Sequence, residues 1–405
     1  MTSLSPGLED GTTPEQAWEP DVLPGFERLT LPLQPDEEEA EVVATLVRRA
    51  RPAPDRSDEA EPRRGLRRVG AENPQVARLW DELSELGRRL HLRGAARPHV
   101  DAVPGALPVP GGAEDGEPRA DAPDVGVDVL YVHGWLDYFF QAHLADFWES
   151  LGVRFHALDL RRYGRSLREG QTPGYVRGLT VYDEDIEAAL DTMGHGRADQ
   201  PERKLVLMGH STGGLTVSLW AARNQERVAG LVLNSPWLEF QPREAVRKIM
   251  EPGIRVQSAL VPRSQLVNLD RGLYARSISS RFDGEWDYDP AWRPDAGWWP
   301  TPAWLAAIFR GQDEVARGLR LDVPVLVLLS ARSTLPTRWS EDMMTTDSVL
   351  DVIGIARRVP DVGSLVTLAR IDGGLHDVTL SAHPAREQVW RQMRRWFQGY
   401  VLAGE

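Results

Sequence analysis

The feature that most constrains this chain is a series of six short, almost uninterrupted apolar runs. DVLYVHG (Asp128 to Gly134), VRFHALDL (Val153 to Leu160), KLVLMGH (Lys204 to His210), GLVLNSP (Gly230 to Pro236), PVLVLLS (Pro324 to Ser330) and SLVTLARI (Ser364 to Ile371) have the length of strands and little polar alternation. A strand that is apolar on both sides must be buried on both sides, as happens inside a parallel sheet covered by helices. Helical periodicity fills gaps between the runs, at Phe139 to Leu151, Asp183 to Met193, Gly214 to Asn224 and Val349 to Arg358. Strand–helix alternation gives right-handed crossovers, so the expected fold class is α/β with a doubly wound, mostly parallel sheet.

Boundaries follow from where that rhythm starts and stops. Residues 1–24 are polar and Pro-rich and read as a loose tail. Residues 25–50 hold the first two core strands, FERLTLPL (Phe26 to Leu33) and EVVATLVRR (Glu41 to Arg49). Over 51–124 large apolar residues thin out, except for Val76, Leu79, Leu83, Leu86 and Leu90, which have the spacing of one amphipathic helix. This stretch reads as an N-terminal insertion. The core resumes over 125–236, breaks over 237–319 and returns over 320–405. The break lies between two sheet strands and carries Trp286, Trp292, Trp298, Trp299 and Trp304, which suits a helical cap over the strand ends.

Bulk properties exclude several functions. The formal net charge of −13 opposes nucleic-acid binding, which needs a basic face to displace counterions, and disfavours docking on an anionic membrane. With no cysteine, thiolate nucleophiles and Cys-based metal sites are excluded. No run of about 18 apolar residues offers a transmembrane segment. The first residues, MTSLSPGLED, lack the basic and apolar stretches of a secretory signal, so the expected location is cytoplasmic.

Gly209-His210-Ser211-Thr212-Gly213 is a G-x-S-x-G pentapeptide. So short a pattern occurs by chance, but here it follows the strand KLVLM directly and opens the helix GLTVSLWAARN. That context predicts a sharp strand-to-helix turn with Ser211 at its strained tip, the place of a nucleophile. The helix dipole favours negative charge there, and the backbone N–H of Thr212 is placed to meet a developing oxyanion. His210 adjoins the serine, but neighbours on such a turn point apart, so it reads as structural.

VLYVHGW, ALDLRRYGRS, LMGHSTGG and GGLHD together resemble the α/β-hydrolase superfamily, in particular its lysophospholipase, monoacylglycerol lipase and serine aminopeptidase branch. The resemblance spans about residues 25–50 and 125–405. It implies that His133-Gly134-Trp135 is the turn supplying a second oxyanion-hole N–H, from Trp135. It also implies that Asp159 to Ser166 is the D-x-R-G-x-G-x-S loop, with Arg162 standing where glycine is usual.

In this fold the triad runs serine, acid, histidine. The resemblance places the base at His376, which follows SLVTLARI through Asp372-Gly373-Gly374-Leu375; His383 reads as a surface residue. The acid is displaced, because the loop Ala331 to Leu335 holds none. Among Glu341, Asp342, Asp347 and Asp351, the expected residue is Asp347. It lies just ahead of a helix and strand that lead to the histidine, and Asp347-Ser348-Val349 resembles the family's D-x-V. Asp342 is the second choice, and Asp351 is expected inside the helix.

These residues predict a serine hydrolase cleaving a carboxylic ester of an apolar acyl compound through an acyl-enzyme, with no metal or organic cofactor required. The implied partner is a small-molecule acyl ester of the lysophospholipid or acylglycerol kind. A serine aminopeptidase is the alternative, since Phe282 to Asp289 mixes carboxylates with aromatics fit for a cationic amine. A non-catalytic receptor on the same fold is a third reading.

Overall fold

The computed structural model describes residues 17–36, 41–50, 122–195, 203–240, 244–267, 272–335 and 338–403. The expected insertion, apart from 122–124, and its helix at Val76 to Leu90 lie outside the described residues.

Among the described residues nine strands form one sheet: β1 (Glu19–Pro20), β2 (Phe26–Pro32), β3 (Val43–Arg49), β4 (Val127–Val132), β5 (Arg154–Asp159), β6 (Lys204–His210), β7 (Gly230–Asn234), β8 (Val325–Ser330) and β9 (Val366–Ile371). Their order is β1-β2-β3-β5-β4-β6-β7-β8-β9. β1, β2 and β3 pair antiparallel, and β3 runs antiparallel to β5. Every pairing from β5 through β9 is parallel. The helices are α1 (Ala142–Glu149), α2 (Tyr182–Met193), α3 (Thr212–Arg223), α4 (Glu244–Leu260), α5 (Leu273–Ile278), α6 (Pro302–Ala316), α7 (Val352–Arg358) and α8 (His383–Trp396).

The continuous apolar runs from β4 to β8 are explained by two cores, one on each face of the sheet. The run SLVTLARI departs from the expectation, because β9 is the edge strand and buries only Ala369 and Ile371 while Leu368 is exposed. Along β4, Val127, Val129 and Tyr131 enter one core while Leu130 and Val132 enter the other; β6 divides likewise, with Val206 and Met208 against Leu205 and Leu207. The first core is closed by Leu144, Phe147 and Trp148 of α1 and Val389, Met393 and Trp396 of α8. The second is closed by Ile186 and Leu190 of α2, Leu215 and Trp220 of α3 and Ile308 and Phe309 of α6.

The chain runs from β4 outward to β5, then returns past β4 to β6 and continues to β9. Crossovers that leave in opposite directions open a crevice at the C-terminal ends of β4 and β6, where open α/β sheets place their sites.

Three expectations need correction. The tail is not loose over its last residues: β1 pairs with β2, Trp18 stacks on the Arg48 guanidinium at 3.6 Å, and Asp21 accepts from Arg165 at 2.6 and 2.7 Å. The helix expected from Phe139 starts at Ala142, because Tyr138, Phe139 and Phe140 precede it as buried, non-helical residues. Asp351 is not inside α7 but is its N-cap, accepting from Ile353 N at 3.0 Å.

Between β7 and β8, which pair directly in the sheet, the chain inserts α4, α5 and α6. A third apolar cluster, Tyr138, Phe140, Ile278, Tyr288, Leu375 and Leu380, joins this segment to the loops after β4 and β9.

Candidate active site

The turn from β6 into α3 places Ser211 at φ 52°, ψ −114°, a backbone region that costs a non-glycine residue about 1–3 kcal/mol. Close packing holds it there. A Cβ on Gly209 would stand 2.6 Å from the Gly213 carbonyl, and one on Gly213 would run into the Val132 and His133 carbonyl oxygens. The pentapeptide's glycines are therefore required by the approach of β6, α3 and β4. Ser211 N–H donates to the Asn234 carbonyl at 3.0 Å, and the Ser211 carbonyl accepts from Trp237 N at 2.9 Å.

The turn after β4 lies against the serine. A Cβ on Gly134 would stand 3.0 Å from both Ser211 Cβ and His210 Nδ1, so the backbone leading to the Trp135 N–H passes beside Ser211. His133 braces this turn: its Nε2 accepts from Leu160 N at 3.1 Å, so Nδ1 carries the proton donated to the Gly134 carbonyl at 2.7 Å. Burial lowers the His133 pKa, consistent with a neutral ring that both accepts and donates. The residue after Trp135, Leu136, has φ 59°.

Asp347 and His376 meet, with Nδ1 of the histidine 3.0 Å from Oδ2 of the acid and both side chains buried. The other oxygen, Oδ1, accepts from Val349 N and Leu350 N, each at 2.8 Å. The loop that displaces Asp347 in sequence returns it in space. Asp347 N donates to the Arg332 carbonyl at 3.0 Å, and Thr334 N donates to the Asp347 carbonyl at 2.8 Å. The acid thus sits just beyond the end of β8. Asp342 is exposed and serves a local turn, accepting from Thr345 and Thr346 through its carbonyl. His383 is exposed and 3.8 Å from Glu387.

Several buried partners were not anticipated. Asn234, whose carbonyl takes the serine N–H, donates its Nδ2 to Asp377 at 2.6 Å and accepts Val378 N at 3.1 Å. Asp377 also accepts Thr379 N and Oγ1, at 2.9 and 2.6 Å. One asparagine thereby couples the serine turn to the histidine loop. Asp377 stands inside the GGLHD motif, and that adjacency was a usable signal. Asp137 and Arg293, 3.2 Å apart and buried, had none, being distant in sequence.

The loop after β5 is held by charge. Asp159 accepts Phe139 N at 2.9 Å through one oxygen and Arg165 Nη1 at 2.9 Å through the other. Arg162 adopts φ 63°, the conformation that makes glycine usual there. Its buried guanidinium donates to the Tyr175 carbonyl at 3.1 Å and pairs with Asp36.

The aromatics divide into two groups. Trp304 lies 3.7 Å, centroid to centroid, from Trp135, and Trp237, Phe240 and Phe309 continue the line. Trp286 and Trp292 instead fasten the β7–β8 segment to the body. Trp286 stacks on His143 at 4.2 Å and donates to the Leu380 carbonyl at 2.7 Å, while Trp292 meets Tyr138 edge-on at 5.2 Å. Trp299 is exposed. Among the described residues no helix is long and apolar enough to cross a membrane, and no group of three or more His, Asp or Glu could hold a metal.

Comparisons with known proteins agree with this architecture. Over 149 residues the chain is 27% identical to a monoacylglycerol lipase of Mycolicibacterium smegmatis, covering 36% of this chain and 50% of that protein. Over 193 residues it is 28% identical to a monoglyceride lipase of Homo sapiens, covering 46% of this chain and 61% of that protein. The chain thus spans between a half and about three fifths of the length of these curated relatives. The crystal structure of the Paleococcus ferrophilus monoacylglycerol lipase superposes with a TM-score of 0.51 at 19% identity, covering 69% of this chain and 96% of that one. The family profile described as serine aminopeptidase, S33, matches residues 126–379, more than half of the chain. The chain belongs to the serine aminopeptidase S33 family of hydrolases and has the α/β-hydrolase fold.

Proposed function

We propose that this protein is a serine hydrolase that cleaves the carboxylic ester of an apolar acyl compound. Ser211 is the nucleophile, His376 the base, Asp347 the acid that orients it, and the N–H groups of Trp135 and Thr212 the oxyanion donors. The observation that carries the reading is the conjunction of a strained Ser211 at the β6–α3 turn with a buried His376–Asp347 pair at the same end of the sheet.

The chemistry follows from that arrangement. Asp347 accepts the Nδ1 proton of His376, so Nε2 is the free base that takes the Ser211 proton as Oγ attacks the ester carbonyl. Negative charge on the carbonyl oxygen is met by the two backbone donors and the amino-terminal end of α3. The tetrahedral intermediate collapses as His376 protonates the departing alcohol, leaving an acyl-enzyme. Water, deprotonated by the same imidazole, then releases the acid.

Two features support an apolar acyl group. The relatives at the head of the comparison are named for monoacylglycerol hydrolysis. The aromatic line from Trp135 through Trp304, Trp237 and Phe240 to Phe309 begins at the oxyanion turn. We read the β7–β8 segment that supplies it as the cap. The aminopeptidase alternative has the family's name in its favour. Against it, three of the four acids of the 282–289 turn are engaged: Asp283 pairs with Arg276, Glu285 with Arg386 at 3.0 Å, and Asp289 accepts Ala291 N at 2.8 Å.

The test is kcat/KM for p-nitrophenyl esters of two to twelve carbons beside a panel of aminoacyl amides. Each methylene buried is worth about 0.8 kcal/mol, so a few added carbons raise kcat/KM by about tenfold or more until the pocket is filled. A flat series, or faster cleavage of the amides, sinks the apolar-ester reading.

A further inference from the structure

The six-residue helix α5 belongs to the β7–β8 segment, yet its side chains reach both loops that make the His376–Asp347 pair. Toward the loop after β9, Tyr274 Oη accepts from Asp377 N at 3.1 Å, and the Tyr274 ring meets His376 edge-on at 5.4 Å. Toward the loop after β8, α5 packs on the turn Glu341–Met344. There the Arg276 guanidinium lies over Trp339, 4.2 Å from the ring centroid, in the chain leading to Asp347. The start of α5 is fixed as well. Gly272 caps it in the left-handed region, φ 70°, and a Cβ there would stand 2.9 Å from the Asp295 carbonyl oxygen.

The residue after His376 is thus held from two directions. Asn234 of the sheet donates to the Asp377 carboxylate at 2.6 Å, and Tyr274 of α5 accepts the Asp377 N–H. The Tyr274 ring is packed in turn by the Arg293 guanidinium, 5.4 Å from its centroid, and Arg293 is pinned to Asp137 of the turn after β4 at 3.2 Å. Anchoring of the segment does not depend on the tyrosine hydroxyl. Ile278 and Tyr288 enter the apolar cluster with Tyr138, Phe140, Leu375 and Leu380, and Trp286 Nε1 donates to the Leu380 carbonyl at 2.7 Å. The Tyr274 hydroxyl meets instead the peptide that joins His376 to Asp377.

We propose that Tyr274 is a positioning residue for the reaction inferred above: it holds the His376 imidazole against Asp347, so the segment lining the proposed acyl pocket also orients the base. A hydrogen bond to the adjoining backbone limits the excursions of a side chain. An imidazole that drifts from its acid loses both the tautomer and the alignment that proton transfer from serine requires. Trp304, on α6 of the same segment, lies against Trp135 at the oxyanion turn. Contact with the acyl chain and orientation of the base then fall to one stretch of chain.

This role presupposes Ser211 and His376 as nucleophile and base, and two measurements separate its failure from theirs. Tyr274→Phe keeps the ring and removes the acceptor for Asp377 N; Tyr274→Leu removes the ring contact as well and keeps much of the bulk. With p-nitrophenyl esters, kcat is expected to fall about two- to tenfold in the first variant and about ten- to a hundredfold in the second, with KM within about twofold. A loss confined to KM or to the melting temperature, with kcat per folded enzyme unchanged, overturns the proposal. The second measurement uses no substrate. In Ser211→Ala protein labelled at its histidines, NMR follows solvent exchange of the His376 Nδ1 proton bonded to Asp347, with the His195 proton on Asp128 as the reference. Exchange at His376 is expected to quicken in both variants, more in Tyr274→Leu, while His195 stays unchanged. Equal exchange with and without the tyrosine overturns the proposal, whether or not the chain hydrolyses esters.

Discussion

Two buried histidine–aspartate pairs stand at opposite ends of the same parallel sheet. At the C-terminal ends of the strands, His376 meets Asp347 at 3.0 Å. At the N-terminal ends, His195 meets Asp128 at 2.8 Å, with equally little exposure. Pair geometry alone does not distinguish them; their company does. Asp128 also binds Arg154 and accepts Arg203 Nε at 2.8 Å, so its charge is consumed by fixed cations between the starts of β4, β5 and β6. Asp347 spends its second oxygen on two backbone N–H groups, which orient the carboxylate without neutralising it. The first arrangement fastens strands. The second leaves a negative charge available to the imidazole, which is what the proposed base requires.

The largest expected effect belongs to Ser211, the proposed nucleophile. Ser211→Ala is expected to lower ester turnover by a factor of roughly a thousand or more with an unchanged melting temperature. Retained turnover in a pure sample would remove the functional side of the contrast. Next comes Asp347→Asn, for which a loss of about a hundred- to ten-thousand-fold in kcat is expected, because an amide no longer selects the histidine tautomer. Asp342→Asn should leave kcat close to that of the unaltered protein. If the ranking of those two is reversed, the acid has been misplaced.

Asp128→Asn tests the other end. Burial disfavours the Asp128 carboxylate, but His195, Arg154 and Arg203 together hold its pKa well below the ordinary range. A group depressed on folding contributes stability that is complete above its unfolded value, near pH 4, and is lost as pH falls through its folded value. The variant should therefore lose about 2–3 kcal/mol at pH 7, less at pH 2 to 3, with kcat preserved in the folded fraction. Denaturant melts at several pH values check this; an equal loss at every pH contradicts the assignment. Smallest of all is His383→Ala, at a position exposed beside Glu387, where turnover within twofold and stability within about 0.5 kcal/mol are expected. A strong effect on rate there would reopen the choice of base.

Legibility in the sequence followed the range of the interaction. The strands from β4 to β8 could be read because burial on both faces leaves an uninterrupted apolar record, as in KLVLMGH, whose limits match β6, whereas the run SLVTLARI overstates the burial of the edge strand β9. The serine turn was legible because it is built from consecutive residues, and the placement of Asp347 because a helix and a strand separate it from His376. Asp351 could have been read as a cap, since an acid directly precedes the helical pattern. Asn234, Asp137 and Arg293 could not, because their partners lie on other strands and loops. Asp21 lies in a segment whose composition reads as a polar tail, and only the buried Arg165 guanidinium reveals why an acid docks there.

The turn at Arg162 bears on how such enzymes can be recombined. A left-handed backbone at a non-glycine residue costs about 1–2 kcal/mol, so reversion to the usual glycine would relax it locally. The same change would remove the ion pair to Asp36, in the connection between β2 and β3, and the hydrogen bond to the Tyr175 carbonyl. A chimera that imports this loop from a glycine-bearing relative thus loses the ion pair that ties the loop to the neighbouring hairpin. The smallest piece that can be exchanged intact is the loop together with the β2–β3 hairpin, two segments that the chain writes more than a hundred residues apart.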